Sequence, residues 1–182
     1  EGFPAFRGNQ IAEWIYRRSA DTFNVMSNLP VFFRHILQQK YTIGRSKVIT
    51  TENSTDGTVK LLLELNDGPR VETVGLPYSE RYSCCVSTQV GCPIGCTFCA
   101  TGHSGFQRNL TAGEIIDQVL SVNNTVNHEK GRDENSVDHV TFMGMGEPML
   151  NYDATVKALR LLKDEMGISG RHLTISTIGH VP

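Results

Sequence analysis

No cysteine occurs before Cys84 or after Cys99, so all five in this 182-residue chain crowd into one short stretch. That clustering excludes the dispersed disulfide framework of a small secreted protein and favours a reducing compartment. No apolar run approaches the length of a bilayer-spanning helix. Internal repeats and low-complexity tracts are also lacking, and with 39% hydrophobic residues the composition supports a buried core. Net charge is small, −2, which by itself neither favours nor excludes a polyanionic partner. The first residue is Glu1 and not methionine, so targeting by a presequence stays open.

The distribution of charge says more than its sum. Residues 1–50 carry seven Lys/Arg (Arg7, Arg17, Arg18, Arg34, Lys40, Arg45, Lys47) against three acids, a balance of +4, which leaves −6 for the rest. A basic opening segment suits a phosphate backbone, and a solvated charged surface is the plainer reading.

Periodicity supplies the elements. Ile11, Trp14 and Ile15, then Phe32, Phe33, Ile36 and Leu37 recur at helical spacing, predicting two short helices, the second capped by Ser27 or Asn28 with Pro30 in its first turn. "KVITT" and "TVKLLLEL" predict strands joined by a turn at Asp56-Gly57, and "RVETVGL" and "YSCCVSTQV" two more, parted at Pro77. Further on, Thr111 and Glu114 stand in capping-box register before a helical face of Ile115, Ile116, Val119 and Leu120. "VDHVTFM" reads as a buried strand, the next helix runs from an Asp153 cap to a Gly167 stop, and "RHLTIST" is a last strand. From about residue 82 this is the alternation of a parallel sheet with helical crossovers, an α/β fold, with the boundary to the front part near residue 78. Ligands of such sheets sit beyond the carboxyl ends of the strands. The cysteine loop follows the first of these strands and "GMGEP" the second, so both are expected on one face. Three parallel strands cannot close a barrel, and the chain stops at Pro182 just after the third, so a fragment is expected.

The cysteines Cys92, Cys96 and Cys99 follow a Cys-x3-Cys-x2-Cys spacing in "GCPIGCTFCATG", residues 91–102. Zinc sites usually carry four protein ligands in paired short spacings. Here no histidine is nearer than His103, and Cys84 and Cys85 are neighbours on a strand, pointing to opposite faces. A cube of four irons held by three thiolates keeps one iron open for another ligand, which gives the incomplete set a purpose. Zinc and a thiol redox switch remain the alternatives.

This loop, with Phe98 before its last cysteine, resembles the cluster loop of radical S-adenosylmethionine (SAM) enzymes. "PAFRGNQIAEWIY", "STDGTVKLLLEL", "RVETV", "CVSTQVGC", "GFQRNLTAGEI", "GMGEPMLN" and "LTISTIG" occur in that order. Together, over essentially the whole chain, they resemble the radical SAM adenine-C2 RNA methyltransferases, which modify large-subunit ribosomal RNA and, in some members, transfer RNA. The resemblance implies a small α+β accessory domain over 1–78, helical with a β-hairpin and a candidate RNA contact. The first three strands of a partial parallel βα barrel, the radical SAM core, would follow over 79–182. It implies one 4Fe-4S cluster on Cys92, Cys96 and Cys99 with SAM on the open iron. Glu72 matches the proton acceptor and Cys85 the resolving cysteine. Gly146 and Glu147, in a Gly-x-Gly-Glu variant of the superfamily's Gly-Gly-Glu element, and Ser176 match SAM contacts. Ile178 replaces the second serine of the "STSG" frequent in relatives.

In the family mechanism a cysteine on a C-terminal loop carries the methyl group to carbon 2 of adenine. Every cysteine here precedes residue 100, so that carrier has no counterpart in these 182 residues. The expectation is a full-length methyltransferase whose present stretch does not turn over alone. Its implied partners are ribosomal RNA, transfer RNA as a second substrate, and an electron donor such as flavodoxin or ferredoxin. A cytoplasmic monomer without membrane attachment is expected, with a plastid or mitochondrial matrix left open. A noncatalytic RNA-binding remnant, a zinc or thiol-redox domain and another radical SAM reaction are the competing readings.

Overall fold

A computed structural model describes residues 3–130 and 136–180, the last three residues of the first span by backbone only. Alternation makes the sheet: Val59, Leu61 and Leu63 are buried while Lys60, Leu62 and Glu64 between them are half-buried, the period of a strand with one face covered. Strands β1 (Lys47–Asn53), β2 (Val59–Glu64), β3 (Arg70–Pro77) and β4 (Tyr82–Cys85) form an antiparallel meander. A two-stranded ribbon of β5 (Gln89–Gly91) and β6 (Phe106–Asn109) follows, its loop holding the short helix α3 (Ala100–His103). The long helix α4 (Ala112–Lys130) then leads to β7 (His139–Phe142), parallel to β4, and α5 (Tyr152–Asp164) to β8 (Leu173–Ile175), parallel to β7. The large sheet has the order β1-β2-β3-β4-β7-β8.

The face of α4 foreseen from its spacing is the centre of the core. Ile115, Ile116, Val119 and Leu120 are all buried, packed with Leu61, Leu63, Val71, Cys84 and Val140 from the sheet. Burying each such aliphatic side chain contributes roughly 1.5–3 kcal/mol. The capping box forms as expected: Glu114 accepts from the Thr111 amide at 2.8 Å, and the Thr111 hydroxyl accepts from the Glu114 amide at 3.2 Å.

The front of the chain folds as α1 (Phe6–Ala12), which continues as a π-helical turn over Glu13–Arg17, and α2 (Val31–Lys40). Pro30 is the cap residue of α2 and lies outside its first turn, with no side-chain cap. These helices surround a small core of their own: Ala20, Phe23, Met26, Leu29, Phe33 and Leu37. The sheet itself runs straight through residue 78, because β3 and β4 pair across it, Val74 opposite Cys85. A buried ion pair ties the connection after α2 to α4: Arg45 Nε lies 2.8 Å from Asp117.

Two expected elements differ. "YSCCVSTQV" is β4 and β5 in separate sheets and not one strand. Its Val86 amide still bonds the Thr141 carbonyl, but those of Thr88 and Gln89 both turn to Met145, which takes the chain out of the large sheet. The helix expected from Asp153 is preceded by a 3-10 turn over Pro148–Asn151 and begins at Tyr152.

Candidate functional site

At the end of β5 the backbone of Gly91 has φ +74°, and a Cβ there would run into the Gly105 carbonyl oxygen, so only glycine fits. The ribbon closes on the cysteine loop, with the Cys92 amide donating to Gly105 at 3.1 Å. Inside the loop the Cys99 amide donates to Cys96 at 3.1 Å and the His103 amide to Cys99 at 3.3 Å. The His103 ring is engaged with the Thr97 carbonyl at 3.0 Å. Winding of this kind draws Cys92, Cys96 and Cys99 onto one small loop, all three free thiols and half-buried. Hydrogen bonds from the backbone amides of Gly102 and Thr101 hold the Cys99 thiol below its usual range, which favours the thiolate that binds metal. Phe98, 91% exposed, stands out from the loop. Among the described residues no three His, Cys, Asp or Glu side chains converge on a single point as one ion requires. A cube takes its three thiolates on three separate irons, so a loop that presents them apart is compatible with it.

The preceding pair behaves as strand alternation requires. Cys84 is fully buried, and burial pushes its thiol up to about 12, which makes it an inert core residue. Cys85 is half-buried on the opposite, open face of the sheet. Glu72 shares that face from β3, through the register that sets Val74 against Cys85, and its carboxylate pairs with Lys60 at 2.7 Å.

Beyond β7, Gly144-Met145-Gly146-Glu147-Pro148 turns along a cavity of about 310 Å³ that Phe142, Glu147, Ser176 and Ile178 also line. Both glycines are needed for reasons internal to the chain. A Cβ at Gly144 would sit 2.7 Å from the Ser87 hydroxyl, and one at Gly146, where φ is +95°, 2.5 Å from Cβ of Gln89. Their close approach is thus to residues 87–89. Glu147 is buried, and its carboxylate accepts from the Thr177 hydroxyl at 2.5 Å and from the amides of Ile178 at 3.1 Å and Met149 at 3.0 Å. Burial alone would raise its pKa, but these donors outweigh that and hold the carboxyl below the usual range. Glu147 therefore fastens the turn after β7 to the segment after β8, on which Ser176 lies exposed at the cavity.

A set of buried amides and hydroxyls, absent from the residues singled out by sequence, joins these parts. Gln118 of α4, wholly buried, accepts from the Ser87 amide at 2.7 Å and donates to the Ser87 carbonyl at 2.9 Å. The Ser87 hydroxyl donates to the Glu72 carbonyl at 2.8 Å and accepts from the Met145 amide at 2.9 Å. Gln89 accepts from the Glu147 amide and donates to Asn109, while Asn151 donates to the carbonyls of Thr88 and Leu110. One signal pointed to Gln118: at three residues past Ile115 and four before Val122, it falls inside the apolar stripe of α4, where an amide must find partners.

Arg108 is held between two carboxylates. Its guanidinium forks onto Asp67 at 2.6 and 2.7 Å and Glu114 at 2.8 and 3.0 Å. Arg17 donates to the Glu165 carbonyl at 3.0 Å, and Arg18 lies 4.7 Å over the Trp14 ring. Among the described residues no helix is long and apolar enough to cross a membrane.

Comparison with known proteins identifies the fold and the family. The family model of the ribosomal RNA large subunit methyltransferase N-terminal domain matches residues 2–43. A protein of a Synechococcus strain named probable dual-specificity RNA methyltransferase RlmN is 48% identical over 98% of this chain and 49% of its own length. Its namesake from Gloeobacter violaceus has the same identity and coverage. The crystal structure of a radical SAM methyltransferase from Sphaerobacter thermophilus superposes with a TM-score of 0.90 at 40% identity, over all of this chain and 53% of that one. The chain thus spans about half the length of the curated relatives it matches. The radical SAM superfamily model matches residues 86–182, a span that begins just after β4 and takes in the cysteine loop and the Glu147 turn, and the chain belongs to that superfamily.

Proposed function

We propose that these residues form the front half of a radical SAM enzyme that methylates carbon 2 of an adenine in large-subunit ribosomal RNA. Transfer RNA is its second substrate and a flavodoxin- or ferredoxin-type protein its electron donor. Cys92, Cys96 and Cys99 hold a 4Fe-4S cluster, and Gly146, Glu147 and Ser176 shape the adjoining SAM cavity. When bound there, cluster and SAM supply a one-electron cleavage that ordinary acid–base groups cannot. The chain's own residues do the rest. Glu72 accepts the carbon-2 proton, and Cys85, as thiolate, attacks the sulfur of the methyl-carrying cysteine: a disulfide forms as the sulfur–carbon bond to the product breaks, the freed carbon takes up a proton to complete the methyl group, and the one surplus electron leaves by the same one-electron route that cleaves SAM. The part up to about residue 78 carries the RNA contact. The protein works as a monomer in the cytoplasm or an organelle matrix.

One observation supports this most: the Ser87 hydroxyl bonds both the strand of Glu72 and the turn that lines the cavity, just where β4 leaves Cys85 for the cysteine loop. The strand of Glu72, the end of the strand that bears Cys85 and the cavity turn thereby meet at one residue. The test is anaerobic reconstitution with iron and sulfide, in a chain carried to its relatives' full length. Iron and sulfide counts matching one cube, SAM cleavage on reduction, and loss of both in Cys96→Ala are expected. Zinc in place of iron, or RNA bound without SAM cleavage, would refute the proposal.

A further inference from the structure

Lys60 and Glu72 form an ion pair that no motif announces. Lys60 Nζ lies 2.7 Å from Glu72 Oε1. The β2–β3 register sets Lys60 opposite Val74 and Leu62 opposite Glu72, so the pair is a two-residue diagonal on the open face, within reach of long side chains. Cys85 stands opposite the same Val74 on the next strand. Glu72 is thus held twice: its side chain from β2 by Lys60, its carbonyl by the Ser87 hydroxyl just past β4 at 2.8 Å.

We propose that Lys60 is a positioning residue that holds the Glu72 carboxylate in one orientation on the open face, ready to accept a proton from the substrate. This rests on reading Glu72 as that acceptor. The two side chains are 40% and 49% exposed, and an ion pair so exposed contributes little to folding. What it does provide is restriction of a carboxylate on a flexible stem, and proton transfer from carbon depends on such alignment. The transferred proton ends on a Glu72 oxygen, and Lys60 keeps its own. The hydrogen bond to Glu72, with that carboxylate's charge, raises the Lys60 pKa, so the ammonium persists throughout neutral pH. Other charged or titratable groups on this face are Glu52 directly opposite Lys60 on β1, Lys47, the Glu64–Arg70 pair, Cys85 and His139.

Two measurements test it. In the 182-residue chain with labelled lysine, NMR titration of Lys60 in the parent and in Glu72→Gln should show a lower pKa in the variant; an unchanged value means the pair does not exist in solution and overturns the inference. In the reconstituted full-length form, Lys60→Met should lower kcat at least about tenfold with KM for RNA nearly unchanged, and Lys60→Arg should restore most of the loss. Weaker RNA binding at full kcat would make Lys60 a phosphate contact and overturn the proposal. Glu72→Gln separates the two readings. Lost turnover in Glu72→Gln with full turnover in Lys60→Met removes Lys60 alone, whereas full turnover in Glu72→Gln removes the proton acceptor and this inference with it.

Discussion

Replacing Gln118 by methionine asks whether the stem of the cysteine loop is held from beneath by one amide. That amide is wholly buried and serves both backbone groups of Ser87, at 2.7 and 2.9 Å. Methionine occupies nearly the same volume, so the cavity left is small and the loss is polar. Ser87 would keep a buried N–H and a buried carbonyl with their partner gone, and each such group costs about 1–3 kcal/mol. A destabilisation of about 2–6 kcal/mol follows, a large part of the roughly 5–15 kcal/mol that holds an ordinary domain together. Gln118→Glu adds a distinction. At neutral pH its carboxylate can still accept from the Ser87 amide but has no proton for the carbonyl, and the buried charge costs more. Acidification protonates it and should recover part of the loss. Urea unfolding of the 182-residue chain followed by circular dichroism, comparing midpoints at equal slope, measures both effects. A methionine variant within about 0.5 kcal/mol of the parent would contradict the reasoning, since it would mean Ser87 finds other partners at no cost.

Gly91→Ala adds a left-handed backbone penalty of about 1–2 kcal/mol to a collision with the Gly105 carbonyl, and the β5–β6 ribbon should open. Faster hydrogen exchange at the Cys92 amide reports it; unchanged protection would be the contrary result. Glu147 has a folded pKa below its unfolded one, so its contribution to stability is complete above the ordinary carboxyl range, near about pH 4.3, and fades as pH falls through the depressed folded value. Glu147→Gln should therefore flatten the acid limb of stability against pH. Parallel acid limbs in the two proteins would exclude that role.

Local chemistry explains which features were readable. Thr111 and Glu114 are three residues apart and need only each other, so the capping box was legible. Asp56, accepting from the Thr58 amide at 2.9 Å beside Gly57 at φ +83°, was legible for the same reason. The opposite fates of Cys84 and Cys85 follow from strand alternation alone. By contrast, the break between β4 and β5 depends on carbonyls of Thr141 and Met145, more than fifty residues away. The glycines of "GMGEP" could be seen, but not that Ser87 and Gln89 are what they make room for.

The order of residues alone determined the cysteine spacing, the amphipathic face of α4 and the strand–helix alternation, because each arises from neighbours within a few positions and from the periods of helix and strand. Only the folded chain decided that Glu147 is consumed by Thr177 and Ile178, that Arg108 is locked between Asp67 and Glu114, and that Lys60 meets Glu72. Those pairings depend on strand register and on where a helix lands, which are settled by burying the whole core at once and leave no local pattern in the sequence.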